Sequence, residues 1–72
     1  MTVLEACIVV LAESEAAMTA KQILNEVQHR QLYTFKAKDP LKVLSGSIRN
    51  NIRNANPPQL KEVARGLYSL VE

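Results

Sequence analysis

Two consecutive prolines divide this chain of 72 residues into parts with different hydrophobic periods. Before Pro57 and Pro58, apolar residues recur at intervals of three and four, which is the spacing of amphipathic helices. After the prolines, short extended runs at residues 59–63 and 67–71 flank Gly66, which predicts a β-hairpin with a tight turn. Since proline cannot continue a helix, the helical part must end before Pro57. The order predicts a single α+β domain.

Two of the three predicted helices begin with a capping box, a threonine followed three residues later by Glu or Gln. The pairs are Thr2 with Glu5 and Thr19 with Gln22. They predict helices over residues 3–13 and from residue 20 to about residue 30. Apolar residues at helical spacing form one face of each helix. In the first helix these residues are Val3, Leu4, Cys7, Ile8, Val10 and Leu11.

The third helix is predicted to begin at Asp39-Pro40, an N-cap followed by proline at the first helical position. It should end at about residue 53 or 54. An isolated hairpin is marginally stable in water, so the hairpin should pack on the helices. Its apolar residues are Leu60, Val63, Leu67, Tyr68 and Leu70, and those on the third helix are Leu41, Leu44, Ile48 and Ile52. Three helices followed by a hairpin predict a winged helix-turn-helix domain over residues 1–72.

Two stretches resemble the HARE-HTH family of winged helices. One is Met-Thr-Ala-Lys-Gln-Ile-Leu at Met18–Leu24, and the other is Ala-Arg-Gly-Leu-Tyr-Ser-Leu at Ala64–Leu70. The sequence has Ala64 where the family's wing has a first glycine. The resemblance implies DNA binding, often by a domain of a larger protein, here a candidate N-terminal domain. It also implies an alternative, because the family includes a domain of a bacterial RNA polymerase subunit that acts through protein contacts.

Basic residues concentrate in the third helix and the loop before it. Residues 36–53 contain five basic residues against one acidic residue, Asp39, whereas residues 1–18 contain three acidic residues and no basic one. At 100° per residue, Lys42, Arg49 and Arg53 lie within about 40° of each other and about 110° from the apolar face. This division predicts a helix that docks on the core and presents cations to the DNA major groove.

Each candidate DNA-binding residue has an expected role. Arg49, Asn50 and Arg53 are candidates for reading bases, although the arginines lie late in the helix and could instead contact phosphate. Around them, Ser45, Gly46 and Ser47 would permit close approach. Arg65 at the hairpin turn could enter the minor groove. The candidates for phosphate contact are Lys21, Lys36, Lys38, Lys42 and Lys61.

A solvent-exposed basic face without a partner is the competing interpretation of these residues. The net charge of +2 is modest and Glu62 lies within the hairpin, so a protein-interaction module of a transcription or DNA-processing complex remains open. Either function is compatible with a homodimer. Tyr33 and Phe35 could stack on bases, but core packing is the stronger expectation.

Several classes of function are not expected. The single cysteine, Cys7, excludes an intrachain disulfide and favours a reducing compartment, cytoplasmic, nucleoid-associated or nuclear, over secretion. With one histidine, His29, no zinc pattern exists. No catalytic arrangement, small-molecule cofactor site or membrane span is indicated. We therefore expect a non-enzymatic domain that binds double-stranded DNA in a regulatory or targeting role, with protein interaction as the alternative.

Overall fold

The computed structural model describes residues 1–14 and 16–71. Its helices and strands follow one another as α1 (Val3–Glu13), β1 (Met18–Thr19), α2 (Ala20–His29), α3 (Pro40–Asn54), β2 (Leu60–Ala64) and β3 (Leu67–Leu70). The three helices and the C-terminal hairpin form a winged helix, as predicted. Glu15, one of the acidic residues counted in the first segment, lies outside the described residues, and so does Glu72.

The helix starts are fixed by hydrogen bonds between residues close in sequence. Both predicted capping boxes are present: the Thr2 hydroxyl accepts the Glu5 N–H and the Glu5 carboxylate accepts the Thr2 N–H. Thr19 and Gln22 exchange the equivalent pair at α2. At α3 the Asp39 carboxylate accepts the Lys42 N–H at 3.1 Å. These contacts satisfy backbone donors that have no partner inside the helix.

One core joins all three helices to the sheet. The side chains of Ile23, Leu44, Ile48 and Leu60 are completely buried. The rest of the core comes mainly from α1 and α2, with one residue from β3: Val3, Ala6, Cys7, Val10, Leu11, Leu24, Val27 and Tyr68. Leu4 and Ile8, expected on the apolar face of α1, pack at its edge and are half-buried.

The sheet has a third strand that the sequence analysis missed. Met18 and Thr19 form β1, which pairs antiparallel with β3 through Met18 opposite Tyr68 and Thr19 opposite Leu67. The strand order is β1-β3-β2, so β3 lies in the centre. β1 ends directly at the start of α2, and this pairing ties that helix to the hairpin.

Two residues expected in the core are exposed instead. Val63 is 50% exposed, because side chains alternate between the faces of a strand and Leu60 takes the inward face. Moreover, the register shifts between Glu62 and Ala64, which leaves Val63 unpaired in a bulge. Leu41 is 36% exposed since it lies in the first turn of α3, beyond the covering elements.

Candidate nucleic-acid interface

The buried face of α3 determines which residues face outward. Leu44 and Ile48 are completely buried and dock α3 against α1 and α2. Lys42, Arg49 and Arg53 are exposed, as are Gly46 and Asn50. We call Lys42, Arg49 and Arg53 the basic row. Helix geometry places them within about 40° of each other, on the side of α3 turned away from the core.

The basic row carries no ion pair in the part of the chain that the structure describes. There the salt bridges join Arg30 to Glu13 and to Glu26. Those pairs fasten the end of α2 to α1 and to its own preceding turn. The charges of the basic row are therefore solvated and available to an external anion.

The hairpin of β2 and β3, which we call the wing, has a turn set by local contacts. Gly66 has φ 78, a conformation that favours glycine, and its N–H donates to the Glu62 carboxylate at 2.9 Å. Arg65 precedes Gly66 and is exposed at the tip. Ala64, which stands where the resembling family has its first wing glycine, lies in β2 and leaves the turn to Arg65 and Gly66.

A cleft of about 200 Å³ lies between α3 and the wing. We call it the α3–wing cleft, and its lining brings Arg49 and Arg53 of the basic row to Glu62 of β2. Ile52 and the buried Tyr68 complete the lining. The wing therefore lies directly beside the basic row, with one carboxylate between the two cationic elements.

The remaining α3 candidates do not all share the basic row's face. Asn50 is exposed beside it, and its side-chain oxygen accepts a hydrogen bond from Asn54 at 2.6 Å. Ser45 is half-buried. Ser47 is also half-buried and lines a separate cleft with Leu4 of α1, about 140° around the helix from Lys42.

The lysine candidates are exposed and lie on four different segments. Lys21 is in the first turn of α2, Lys36 and Lys38 are in the loop between α2 and α3, and Lys61 is in β2. Lys61 precedes Glu62, so alternation along the strand turns it to the opposite face from the α3–wing cleft. Lys36 and Lys38 precede the N-terminus of α3 directly.

Asn51 is a structural residue of this site that the sequence analysis did not identify. It is a buried polar side chain of α3 and accepts the backbone N–H groups of Gln59 at 2.9 Å and Leu60 at 3.1 Å. It thereby fixes the first residues of the wing against the helix that carries the basic row. An asparagine on the apolar face of the predicted helix was the only available indication.

Cys7 and His29 take the structural positions expected for them. Cys7 is buried, and burial raises the pKa of its thiol to about 11, so it is a core residue and not an activated nucleophile. His29 is exposed in the last turn of α2. Within residues 1–14 and 16–71, no group of three or more His, Cys, Asp or Glu could hold a metal ion, and no helix there is long and apolar enough to cross a membrane.

Comparison with protein families assigns the whole domain. Residues 1–72 match the model of HARE-HTH, described as an ASXL and restriction endonuclease HTH domain. The chain belongs to the HARE-HTH family. The resemblance drawn from Met18–Leu24 and Ala64–Leu70 is thus confirmed, and with it the winged helix-turn-helix fold. Membership in HARE-HTH indicates a helix-turn-helix DNA-binding module. Searches of curated proteins and of solved structures gave no significant match.

Proposed function

We propose that this HARE-HTH domain binds double-stranded DNA by inserting α3 into the major groove, with Arg65 of the wing reaching the adjacent minor groove. The observation that carries the proposal is the basic row, whose three charged side chains are exposed and unpaired among the described residues and lie beside the wing. A helix that docks on one face and exposes cations on the other suits a groove lined by phosphates.

Within this arrangement the residues divide into two classes. Arg49 and Asn50 are the candidates for base contact, since guanidinium and amide groups can pair with guanine and adenine edges, respectively. Arg53, nearer the end of α3, suits either a base or a phosphate. Phosphate contacts are assigned to the lysines and Ser45 at the margins: Lys21, Lys36, Lys38, Lys42 and Lys61. Ser47, directed towards α1, is the weakest member of the proposed contact set.

The wider role follows from the size of the domain. A module of 72 residues with no catalytic arrangement identified supplies targeting or regulation, and we propose that it does so as one domain, 1–72, of a larger nucleoid-associated or nuclear protein.

The test is a titration of fluorescein-labelled duplex DNA with the domain at low salt, repeated at several salt concentrations. If about five cations meet phosphates, log K should fall against log salt with a slope of about −4 to −5. The double variant Arg49→Ala/Arg53→Ala should weaken binding. Arg30→Ala, which removes an arginine already paired with Glu13 and Glu26, is the matched control and should bind as the parent does. No binding at tens of micromolar protein would remove the proposal.

A protein-interaction module is the second candidate, and one specific observation favours it. Glu62 lines the same cleft as Arg49 and Arg53, so the surface there carries both charges and suits a mixed partner better than a row of phosphates. The neighbouring Val63 is half exposed. Chemical-shift mapping with DNA separates the candidates: shifts along α3 and at Arg65 favour DNA, while silence there together with a purified protein partner that perturbs Glu62 and Val63 favours the alternative.

A further inference from the structure

A second cleft, remote in sequence from the basic row, opens where the chain leaves α2. Its volume is about 470 Å³, and it is lined by Gln28, Gln31, Tyr33, Thr34 and Phe35. We call it the aromatic cleft. The two rings meet edge to face, with centroids 5.0 Å apart and planes inclined by 65°. Both rings are half-buried and pack against the core, which holds them in place while leaving part of each surface open.

Gln31 contributes its side chain to the aromatic cleft from an unfavourable backbone conformation. Its φ is 55, in the left-handed region where glycine is strongly preferred. The Gln31 N–H donates to the Gln28 carbonyl and the Leu32 N–H donates to the Val27 carbonyl, which is the Schellman arrangement that usually ends with glycine. Glycine would complete this helix end at lower cost, so the amide side chain has a use that helix termination does not require.

The surroundings of the aromatic cleft are cationic. Lys36 and Lys38 follow Phe35 in the loop, are exposed, and form no salt bridge with any described residue. No described side chain or backbone group hydrogen-bonds to the amide groups of Gln28 or Gln31 either. The cleft therefore offers an aromatic surface, two free amides that both donate and accept, and adjacent positive charge.

We propose that the aromatic cleft binds an unpaired nucleobase of DNA. The base stacks on the open surface of Tyr33 or Phe35, the amides of Gln28 and Gln31 hydrogen-bond to its edge, and the flanking phosphates meet Lys36 and Lys38. Aromatic stacking next to basic side chains is the recurrent way in which proteins hold single-stranded nucleic acid. The site is separate from the basic row and does not depend on its reading of a duplex.

The experiment compares three DNA molecules with the same duplex: blunt, carrying a four-nucleotide 3′ single-stranded tail, and carrying a tail of four abasic residues. The abasic tail has the same phosphates without bases, so it isolates stacking from charge. We expect the base-bearing tail to lower Kd by about tenfold relative to the abasic tail, which is what stacking of one base yields. Equal affinity for the two tails would overturn the proposal.

Two variants assign the effect to the cleft. Gln31→Gly removes the amide and also relieves the strained conformation, so the melting temperature should rise while the preference for the base-bearing tail falls by threefold or more. Tyr33→Leu should lose the preference and Tyr33→Phe should keep it. If Gln31→Gly and Tyr33→Leu both leave the preference intact, the base binds elsewhere and the assignment fails.

The same experiment distinguishes this site from the duplex interface. Should the blunt duplex fail to bind while the base-bearing tail outcompetes the abasic one, the aromatic cleft stands and the duplex function proposed above falls. Should Arg49→Ala/Arg53→Ala weaken all three molecules equally, both sites operate independently. Failure of all three molecules to bind would remove both proposals.

Discussion

Asn51, near the end of α3, accepts the backbone N–H of Leu60, the first residue of β2, at 3.1 Å. The same side-chain oxygen accepts the Gln59 N–H at 2.9 Å, and its amide nitrogen donates to the Gln59 side chain at 3.4 Å. Asn51 is only 5% exposed, so water does not replace these bonds. The position of the wing beside the basic row therefore depends on one buried amide.

Replacing Asn51 should destabilise the fold. Asn51→Ala leaves the buried Leu60 N–H without an acceptor, and an unsatisfied buried donor costs about 1–3 kcal/mol. We expect a loss of about 2 kcal/mol in the free energy of unfolding, measured by urea denaturation. Asn54→Ala is the control, because Asn54 is exposed and bonds only to Asn50 among the described residues; its effect should stay within about 0.5 kcal/mol. Equal losses in the two variants would contradict this role.

The helices could be predicted because their boundaries depend on neighbours in sequence. A capping box such as Thr2 with Glu5 closes within three residues, so the sequence contains the whole interaction. β1 could not be predicted in the same way. Its two residues become a strand only through pairing with Leu67 and Tyr68 of β3, far along the chain, and its second residue, Thr19, is also the N-cap of α2.

The same distinction applies to the candidate interface. The common direction of Lys42, Arg49 and Arg53 follows from helical geometry alone and needed no tertiary information. Ser47 and Glu62 did need it: which elements flank α3 decides that Ser47 lies against α1 and that Glu62 lies beside two arginines. The exposed Val63 shows a related limit, since a bulge shifts the strand register without a clear sign in the sequence.

Gly46 provides a test that separates stability from binding. It lies in the interior of α3, and a Cβ built on it would contact no atom within 4 Å, so packing does not require glycine there. Gly46→Ala should stabilise the domain by about 0.5–1 kcal/mol through helix propensity. On the exposed face next to the basic row, however, the added methyl group should weaken duplex binding if DNA approaches the helix closely.

Paired thermal melts and DNA titrations measure the two effects of Gly46→Ala. Asn25→Ala, at an exposed position of α2, is the matched control that raises helix propensity away from the basic row. It should increase stability and leave Kd unchanged. A Gly46→Ala variant that binds duplex DNA as tightly as the parent would show that DNA does not approach α3 at this point.

Cys7 should make the domain less stable in alkali. Its pKa is 9.0 ordinarily and about 11 in the folded protein, because burial disfavours the thiolate. Between these values the unfolded chain releases the proton and the folded one keeps it, so rising pH favours unfolding. At pH 11 this contributes a loss of about 2 kcal/mol relative to pH 8. Cys7→Ala should lack that part of the decline, as measured by urea denaturation across the pH range; parallel curves would contradict it.

Glu62 is the one acidic residue that lines the α3–wing cleft among the described residues, and its two contacts can be separated by substitution. Glu62→Gln keeps an oxygen that accepts the Gly66 N–H and removes the charge beside Arg49 and Arg53. Because the carboxylate repels phosphates, we expect duplex affinity at low salt to rise roughly two- to fivefold, an exposed-charge effect of about 1 kcal/mol or less. Glu62→Ala, which also loses the turn contact, should gain less. A decrease in affinity for Glu62→Gln with Glu62→Ala weaker still would mean that the carboxylate itself accepts a hydrogen bond from DNA, as from a cytosine amino group, and that Glu62 belongs to the reading surface.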